Sequence, residues 1–508
     1  MTQATATVAA AHAAASSAAA PAPAHERPED ENLGFGPNLV YGMQHVLTMY
    51  GGIVAVPLIV AEAAGMSATD ASLLITACLF MGGIATLLQT LGIPFFGSRL
   101  PLVQGVSFAG VATMVSILQT GGGIQGVLGA VAAASVLGLI VAPVFSKVTK
   151  FFPPLVNGCV ITVIGLSLMP VCANWAMGGR PGLPDYGSMG NIALAGITLL
   201  TVLLLSKLGN AAISRLSILL AIVIGTVIAV AVGKSDFSNV GQGAWFAIPE
   251  PLYFGMPTFS MASTLSMFIV ILVILVETSA DVLAVGDIVG TPVNSRRLGD
   301  GLRADMLSSI VAPFFGAFTQ SAFAQNVGLV AVTGVKSRYV VAFSGLILIA
   351  LGVLPIMGRI VACVPPSVLG GAGLVLFGTV AASGIRTLSK VDYHNNMNMI
   401  IVATAIGAGL LPVVAPKFYA QFPAWFATIF HSGISGAAVV AISLNLLFNH
   451  FKRGNSDQQS VFVAASERRL TQHVLDSLND GDQVIDGKLY DKNGNVVPVL
   501  GSGGHGTE

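Results

Sequence analysis

The chain has 508 residues, of which 54% are apolar and 9% charged, with mean hydropathy +0.81; an average soluble domain carries roughly 25% charged residues. Twenty-three basic and twenty-three acidic residues cancel to a formal charge of zero, and twelve of the acids lie before residue 32 or after residue 456. This balance excludes a soluble globular enzyme, a disordered chain and a nucleic-acid binder working through a basic patch, and it points to an integral membrane protein with many spans.

Residues 1–30 are rich in Ala, Ser and Pro and end in HERPEDE. They lack the charged and apolar regions of a signal peptide and read as a disordered tail. Apolar blocks follow, each of which must satisfy its own backbone as a helix to cross lipid, and a full span needs ~20 residues. The expected fold is all-α and polytopic, with fourteen transmembrane segments at 38–61, 67–92, 102–118, 123–146, 153–174, 190–207, 212–232, 261–286, 301–318, 319–335, 339–360, 362–384, 396–415 and 421–450. Residues 451–508 form a short polar tail with NDGD and DKNGN turns. Fourteen Lys and Arg, from Arg99 to Arg453, fall in the even-numbered loops and the start of the tail, against Arg180, Lys234, Arg359 and Lys417 on the other side. That asymmetry places both termini in the cytoplasm and favours an even number of spans. The cysteines Cys78, Cys159, Cys172 and Cys363 are scattered through apolar runs and read as small buried hydrophobes.

Segments three (PLVQGVSFAGVATMVSIL) and ten (FTQSAFAQNVGLVAVTGV) are short and interrupted by Gly and polar residues. They stand seven segments apart, in matching places of two halves. Such a pair is a sequence pointer to a transporter's midplane site, where extended backbone turns its N–H and C=O groups to a ligand.

Ionisable groups inside spans are expensive and mark function. Glu277 ends the run SMFIVILVILV, and Asp281 lies one helical turn on, on the same face. Asp305 sits near the start of segment nine, and His45 stands beside Gln44 in segment one. His431, in the last span, has little polar company. No two histidines share i, i+3 or i, i+4 spacing, so no metal site is expected, and no cofactor is implied. A phosphate-binding GxxxxGK[ST] loop is absent, which argues against an ATP-driven pump. In segment ten the amides Gln325 and Asn326 adjoin Gly328, offering donors and acceptors where backbone can approach closely. An uncharged, planar, hydrogen-bonding ligand suits them better than a bare ion.

The run from Gln325 to Gly334 resembles the signature of the nucleobase–ascorbate transporter family, also called nucleobase:cation symporters of the second class: Gln/Glu-Asn-x-Gly, four residues, Thr, then Gly or a base. Gln44-His45, Gln104-Gly105-x-Ser107-Phe108 and Glu277-Thr278 match further motifs in order, and Asp305 stands twenty residues before Gln325 as in bacterial xanthine permeases. The resemblance covers roughly residues 36–450. It implies a 7+7 inverted repeat with short strands in segments three and ten. It also implies a core domain (37–146 and 261–360), a gate domain that dimerises (147–260 and 361–450), and tails at 1–36 and 451–508. It further implies that Glu277 and Gln325 bind the base, with Phe108 against the ring and the Ala324 backbone adding a hydrogen bond. His45, Asp281, Asp305 and Asn326 would support binding or proton coupling. Ala109, small where xanthine-selective relatives are often polar, would bear on selectivity.

The expected function is proton-coupled uptake of purine bases, xanthine or uric acid, across the cell membrane by alternating access, with no chemical change to the substrate. A uracil-type permease and an inorganic-anion transporter of the same fold are the alternatives. The partners are the purine, H⁺, the bilayer and a second copy in a homodimer, with no nucleic acid.

Overall fold

In a computed structural model, residues 27–145, 153–179, 181–238, 240–393 and 396–450 are described, with strand residues 483–485, 488–490 and 496–497. Lys147, Lys150, Arg180, Lys452 and Arg453, counted in the loop asymmetry, lie outside them, as does most of each tail.

The first half of the apolar region runs α1 (Phe35–Ala63), α2 (Ala68–Leu91), β1 (Gln104–Val106), α3 (Val111–Gln119), α4 (Gly123–Val141), α5 (Pro154–Ser167), α6 (Met169–Ala176), α7 (Met189–Leu208), α8 (Ala211–Arg215) and α9 (Ser217–Ala231). The second runs α10 (Met261–Val289), α11 (Ser295–Val311), β2 (Gln320–Ala322), α12 (Ala324–Thr333), α13 (Arg338–Gly352), α14 (Pro355–Ala362), α15 (Pro366–Leu388), α16 (Asn396–Val414), α17 (Ala424–His431) and α18 (Gly433–Asn445). The C-terminal unit, by itself, contains an antiparallel meander, β3 (Gln483–Ile485), β4 (Lys488–Tyr490) and β5 (Val496–Val497).

Among the described residues, eight helices are long and apolar enough to cross a membrane, counting α5 with α6, or nine if α13 and α14 form one span bent by 78°. Large apolar side chains stay exposed along α7 and α9, including Leu200, Leu203, Val223 and Val227, as lipid-facing helices require. Several blocks expected as single segments are interrupted. Pro170 opens α6 and Pro355 opens α14, each removing an N–H from the helical ladder. Ser432 is extended between α17 and α18 and accepts from the Ser435 amide as an N-cap. α11 begins at Ser295, earlier than expected, so Asp305 lies nearly three turns inside it.

The helices pack in two groups. α1, α2, α4, α10, α11 and α13 form one, and α5, α6, α7, α9, α15, α16 and α18 the other. Glycine seams let backbones meet within each. A Cβ on Gly83 of α2 would lie 2.5 Å from the Gly345 carbonyl of α13, and one on Gly384 of α15 would lie 2.3 Å from the Thr162 amide of α5.

The last residues of the expected N-terminal tail depart from disorder. Pro28–Asp30 form a short 3₁₀ turn, and Glu29 is buried with its carboxylate 2.7 Å from Arg297. Asp30 pairs with Arg338 at 2.6 Å. Charge pairing with the first turns of α11 and α13 holds a stretch whose composition alone reads as tail. Cys78, Cys159 and Cys172 are buried free thiols, and Cys363 is half-buried.

Candidate substrate site at the strand crossing

Segments three and ten each begin as a strand and continue as a short helix. β1 and β2 pair antiparallel, with Gln104 opposite Ala322, Gly105 opposite Ser321 and Val106 opposite Gln320. Beyond β1, a 3₁₀ turn (Phe108–Gly110) leads into α3, and α12 follows β2 after Phe323. Both helix N-termini therefore start at the crossing, presenting backbone N–H groups there.

The strands are held from behind in corresponding ways. Thr86 Oγ1 of α2 lies 3.0 Å from the Gln104 amide and 3.1 Å from its carbonyl oxygen. Ser309 Oγ of α11 accepts from the Gln320 amide at 2.8 Å and lies 3.5 Å from its carbonyl. Thr278 of α10 ties a third element in, donating to Asp305 Oδ2 at 2.7 Å and receiving the Ala322 amide at 3.4 Å. Asp305 thus braces the crossing through Thr278, and Ser308 donates to its backbone carbonyl.

His45 and Asn326 also meet. The Asn326 side-chain amide lies 3.1 Å from His45 Nδ1 and donates to the His45 carbonyl at 3.0 Å. Both residues are buried. If that amide donates to the ring, Nδ1 is the acceptor, which places the imidazole proton on Nε2. Asp281 is buried one turn from Glu277, and its Oδ2 has no partner among the described atoms. Among the described residues, no Lys or Arg pairs with Glu277, Asp281 or Asp305. Glu277 itself is half-buried.

Two cavities lie along α1, one beside its middle turns and one at its C-terminal end, both between the helix groups. One, of about 310 Å³, is lined by Thr48, Gly52, Arg215, Phe323, Gln325 and Thr379 among others. The Gln325 side chain is exposed to it. The other, of about 370 Å³, is lined by residues including Glu62, Gln119, Asn174 and His431. Phe108 packs edge-on to Phe377 of α15 at 5.6 Å and lies 6.5 Å from Phe323. At the second cavity's end, hydrogen bonds join α1 to α6, α3 to α17 and to the start of α18, and α10 to α18: Trp175 Nε1 to Glu62, Thr113 with Ser432 at 2.6 Å, Gln119 with His431 at 3.2 Å, and Ser266 with Ser435 at 3.3 Å.

Of the expected site residues, Gln325 lines the first cavity, while Phe108, Glu277 and Ala324 are not among its lining residues. Ala109 is buried, with its amide capped by Ser107. Phe323, Phe377 and the clamping hydroxyls of Thr86 and Ser309 were not anticipated.

A profile described as the permease family matches residues 36–418. The chain belongs to the nucleobase–ascorbate transporter family. It is 40% identical over 433 residues to a uric acid transporter of Escherichia coli (strain K12), covering 84% of this chain and 90% of that protein. It is 39% identical to a xanthine permease of Bacillus subtilis (strain 168), covering 85% and 98%. The murine solute carrier 26 member A9, an anion transporter solved in the inward-facing state, superposes with TM-score 0.57 at 12% identity, over 86% of this chain and 74% of that one. That likeness shows the fold alone. As a member of this permease family with several apolar spans, the protein is a multi-pass membrane protein.

Proposed function

We propose that this nucleobase–ascorbate transporter family member imports the oxidised purines xanthine and urate with H⁺ across the cell membrane, without altering them. The observation that carries this reading is the amide of Gln325, without a hydrogen-bond partner among the described residues and displayed in the first turn of α12 to a cavity between two helix groups. A carboxamide donates to a ring carbonyl and accepts from a ring N–H together, which fits the edge of an oxidised purine. The relatives named as uric acid and xanthine carriers support the same substrate class.

In this reading the fourteen segments form a 7+7 inverted repeat, supported by the matched clamps Thr86–Gln104 and Ser309–Gln320 seven segments apart. The group containing α1, α2 and α10 is the moving core and the group containing α5 and α15 is the gate, which pairs with a second copy. Both termini face the cytoplasm, on the side of the Arg215 cavity. Glu277 takes hydrogen bonds from the base and exchanges the coupled proton, Phe108 meets its ring face, and the Ala324 backbone adds a contact. Asp281 and Asp305 hold protons in coupling, His45 and Asn326 brace one another, and Ala109 sets space beside Phe108. Among the described residues no cation pairs with the three carboxyl groups near the crossing, which disfavours a free inorganic anion there; the cation of the neighbouring cavity, Arg215, stands on the opposing wall.

Purified protein in liposomes under an imposed pH gradient tests the proposal. Accumulation of labelled xanthine and urate is expected, abolished by a protonophore and indifferent to replacing Na⁺ with choline. Unlabelled uracil and adenine should compete poorly. Bicarbonate or sulfate uptake in place of purine uptake, or chemical conversion of the purine, would overturn it.

A further inference from the structure

Among the described residues lining the cavity that displays Gln325, one is ionisable, Arg215. Arg215 ends the short helix α8, directly before α9, and is half-buried. Its guanidinium has no hydrogen bond or ion pair among the described residues. The hydroxyls that share the cavity are engaged elsewhere: Thr48 donates to the Gln44 carbonyl at 2.8 Å and Thr379 to the Leu376 carbonyl at 2.7 Å. Most of the remaining wall is apolar, formed by Met49, Ile218, Leu219, Leu329, Val332 and Leu376. A guanidinium partly desolvated against such a wall gains from an anion that reaches it, because few neighbouring dipoles screen the pair.

We propose that Arg215 is a specificity-determining group that recognises the deprotonated form of the base, a planar heterocyclic monoanion. This rests on the purine-carrier reading above. The guanidinium is a rigid planar fork, suited to two adjacent acceptors on one edge of a flat ligand. A deprotonated purine offers such an edge, an exocyclic oxygen beside a ring nitrogen that has lost its proton. Arg215 and Gln325 come from different helix groups. The cavity therefore has a neutral amide on the side of the crossing and a fixed positive charge on the opposing wall. Urate, the stronger acid, is a monoanion near neutral pH, whereas xanthine in mildly acidic solution is largely uncharged. Arg215 thereby favours urate over xanthine at this cavity.

Equilibrium binding of labelled urate and labelled xanthine to the purified full-length protein at mildly acidic pH tests the assignment. Arg215→Gln should weaken urate by ~tenfold or more, as loss of a charge-assisted hydrogen bond implies, and xanthine far less. Arg215→Lys, which keeps the charge and loses the fork, should retain part of the urate preference. In the unmutated protein, rising salt should weaken urate selectively. This arm reads the charge directly if Arg215→Gln fails to fold. A urate-to-xanthine ratio unmoved by both Arg215→Gln and salt overturns the proposal. So does an Arg215-dependent stabilisation by phosphatidylglycerol without any change in urate binding, which would assign the guanidinium to a lipid headgroup. If the unmutated protein binds neither base, the purine reading itself fails, a distinct outcome.

Discussion

Replacing Thr86 by Val tests whether one hydroxyl sets the position of β1. Valine keeps the branched shape and removes the oxygen, so packing changes little. The Gln104 amide, 3.0 Å from Thr86 Oγ1, would then be buried without a partner. An orphaned donor of this kind costs about 1–3 kcal/mol. Thr90, one turn on in the same helix and equally buried, provides a matched control. Its hydroxyl only returns to helical carbonyls, at 2.7 Å from the Thr86 carbonyl and 3.4 Å from that of Leu87. Those carbonyls belong to the helix's own ladder, so Thr90→Val should change stability little. At roughly 2 °C per kcal/mol for a large chain, Thr86→Val should lower the melting midpoint in detergent by about 2–6 °C. It should also weaken substrate protection, since β1 leads directly to Phe108. Equal shifts for the two variants would refute the clamp, because burial and chemistry are otherwise alike.

Glu277→Gln should leave the protein folded and in the membrane but abolish accumulation driven by a pH gradient, read in liposomes. An amide cannot take up and release the proton, so wild-type accumulation would contradict the role given to this carboxyl. Gly83→Ala should destabilise by ~1–3 kcal/mol, as overpacking does, because its Cβ would lie 2.5 Å from the Gly345 carbonyl. Gly328→Ala, with nothing within 4 Å of its Cβ, should be neutral or slightly stabilising by thermal shift. In the loop before α7, Asp185 lies 2.9 Å from Lys234 and accepts from Asn191, and these partners hold its carboxyl below its usual range. The contribution of this contact is full above the ordinary carboxylate pKa and lost as pH falls through the depressed one. Asp185→Asn should remove that acid-side dependence from a melting curve.

Legibility differed by the kind of signal. Segments three and ten stood out because Gly and amides do not belong on a lipid face, and Gln325 and Asn326 were visible for the same reason. Asp281 could be placed beside Glu277 because helical spacing alone puts them on one face. Thr86 and Ser309 were not legible, since a hydroxyl in an apolar helix reads the same whether it clamps a strand or, like Thr90, bonds back to its own helix. Only the tertiary partner distinguishes them. Glu29 was hidden in a tail-like composition, its order coming from Arg297, which is 268 residues away. The breaks at Ser432 and before Ser217 leave no mark on hydropathy, which averages over the few residues that turn.

If the proposed core and gate alternate, the hydrogen bonds that join α1, α3 and α10 to α6, α17 and α18 at the Glu62 end bear on how the carrier divides its time. At about 1 kcal/mol net each, the four described contacts, from Trp175–Glu62 to Ser266–Ser435, amount to roughly 4 kcal/mol. With nothing gained in exchange, parting them would leave about one molecule in a thousand receptive from that face at rest. A ligand arriving there would show an apparent dissociation constant raised by the same factor over its intrinsic one. Affinity measured from one face would then report mostly the scarcity of the receptive form, and loosening a single serine pair could sharpen apparent affinity without touching a group that contacts the ligand.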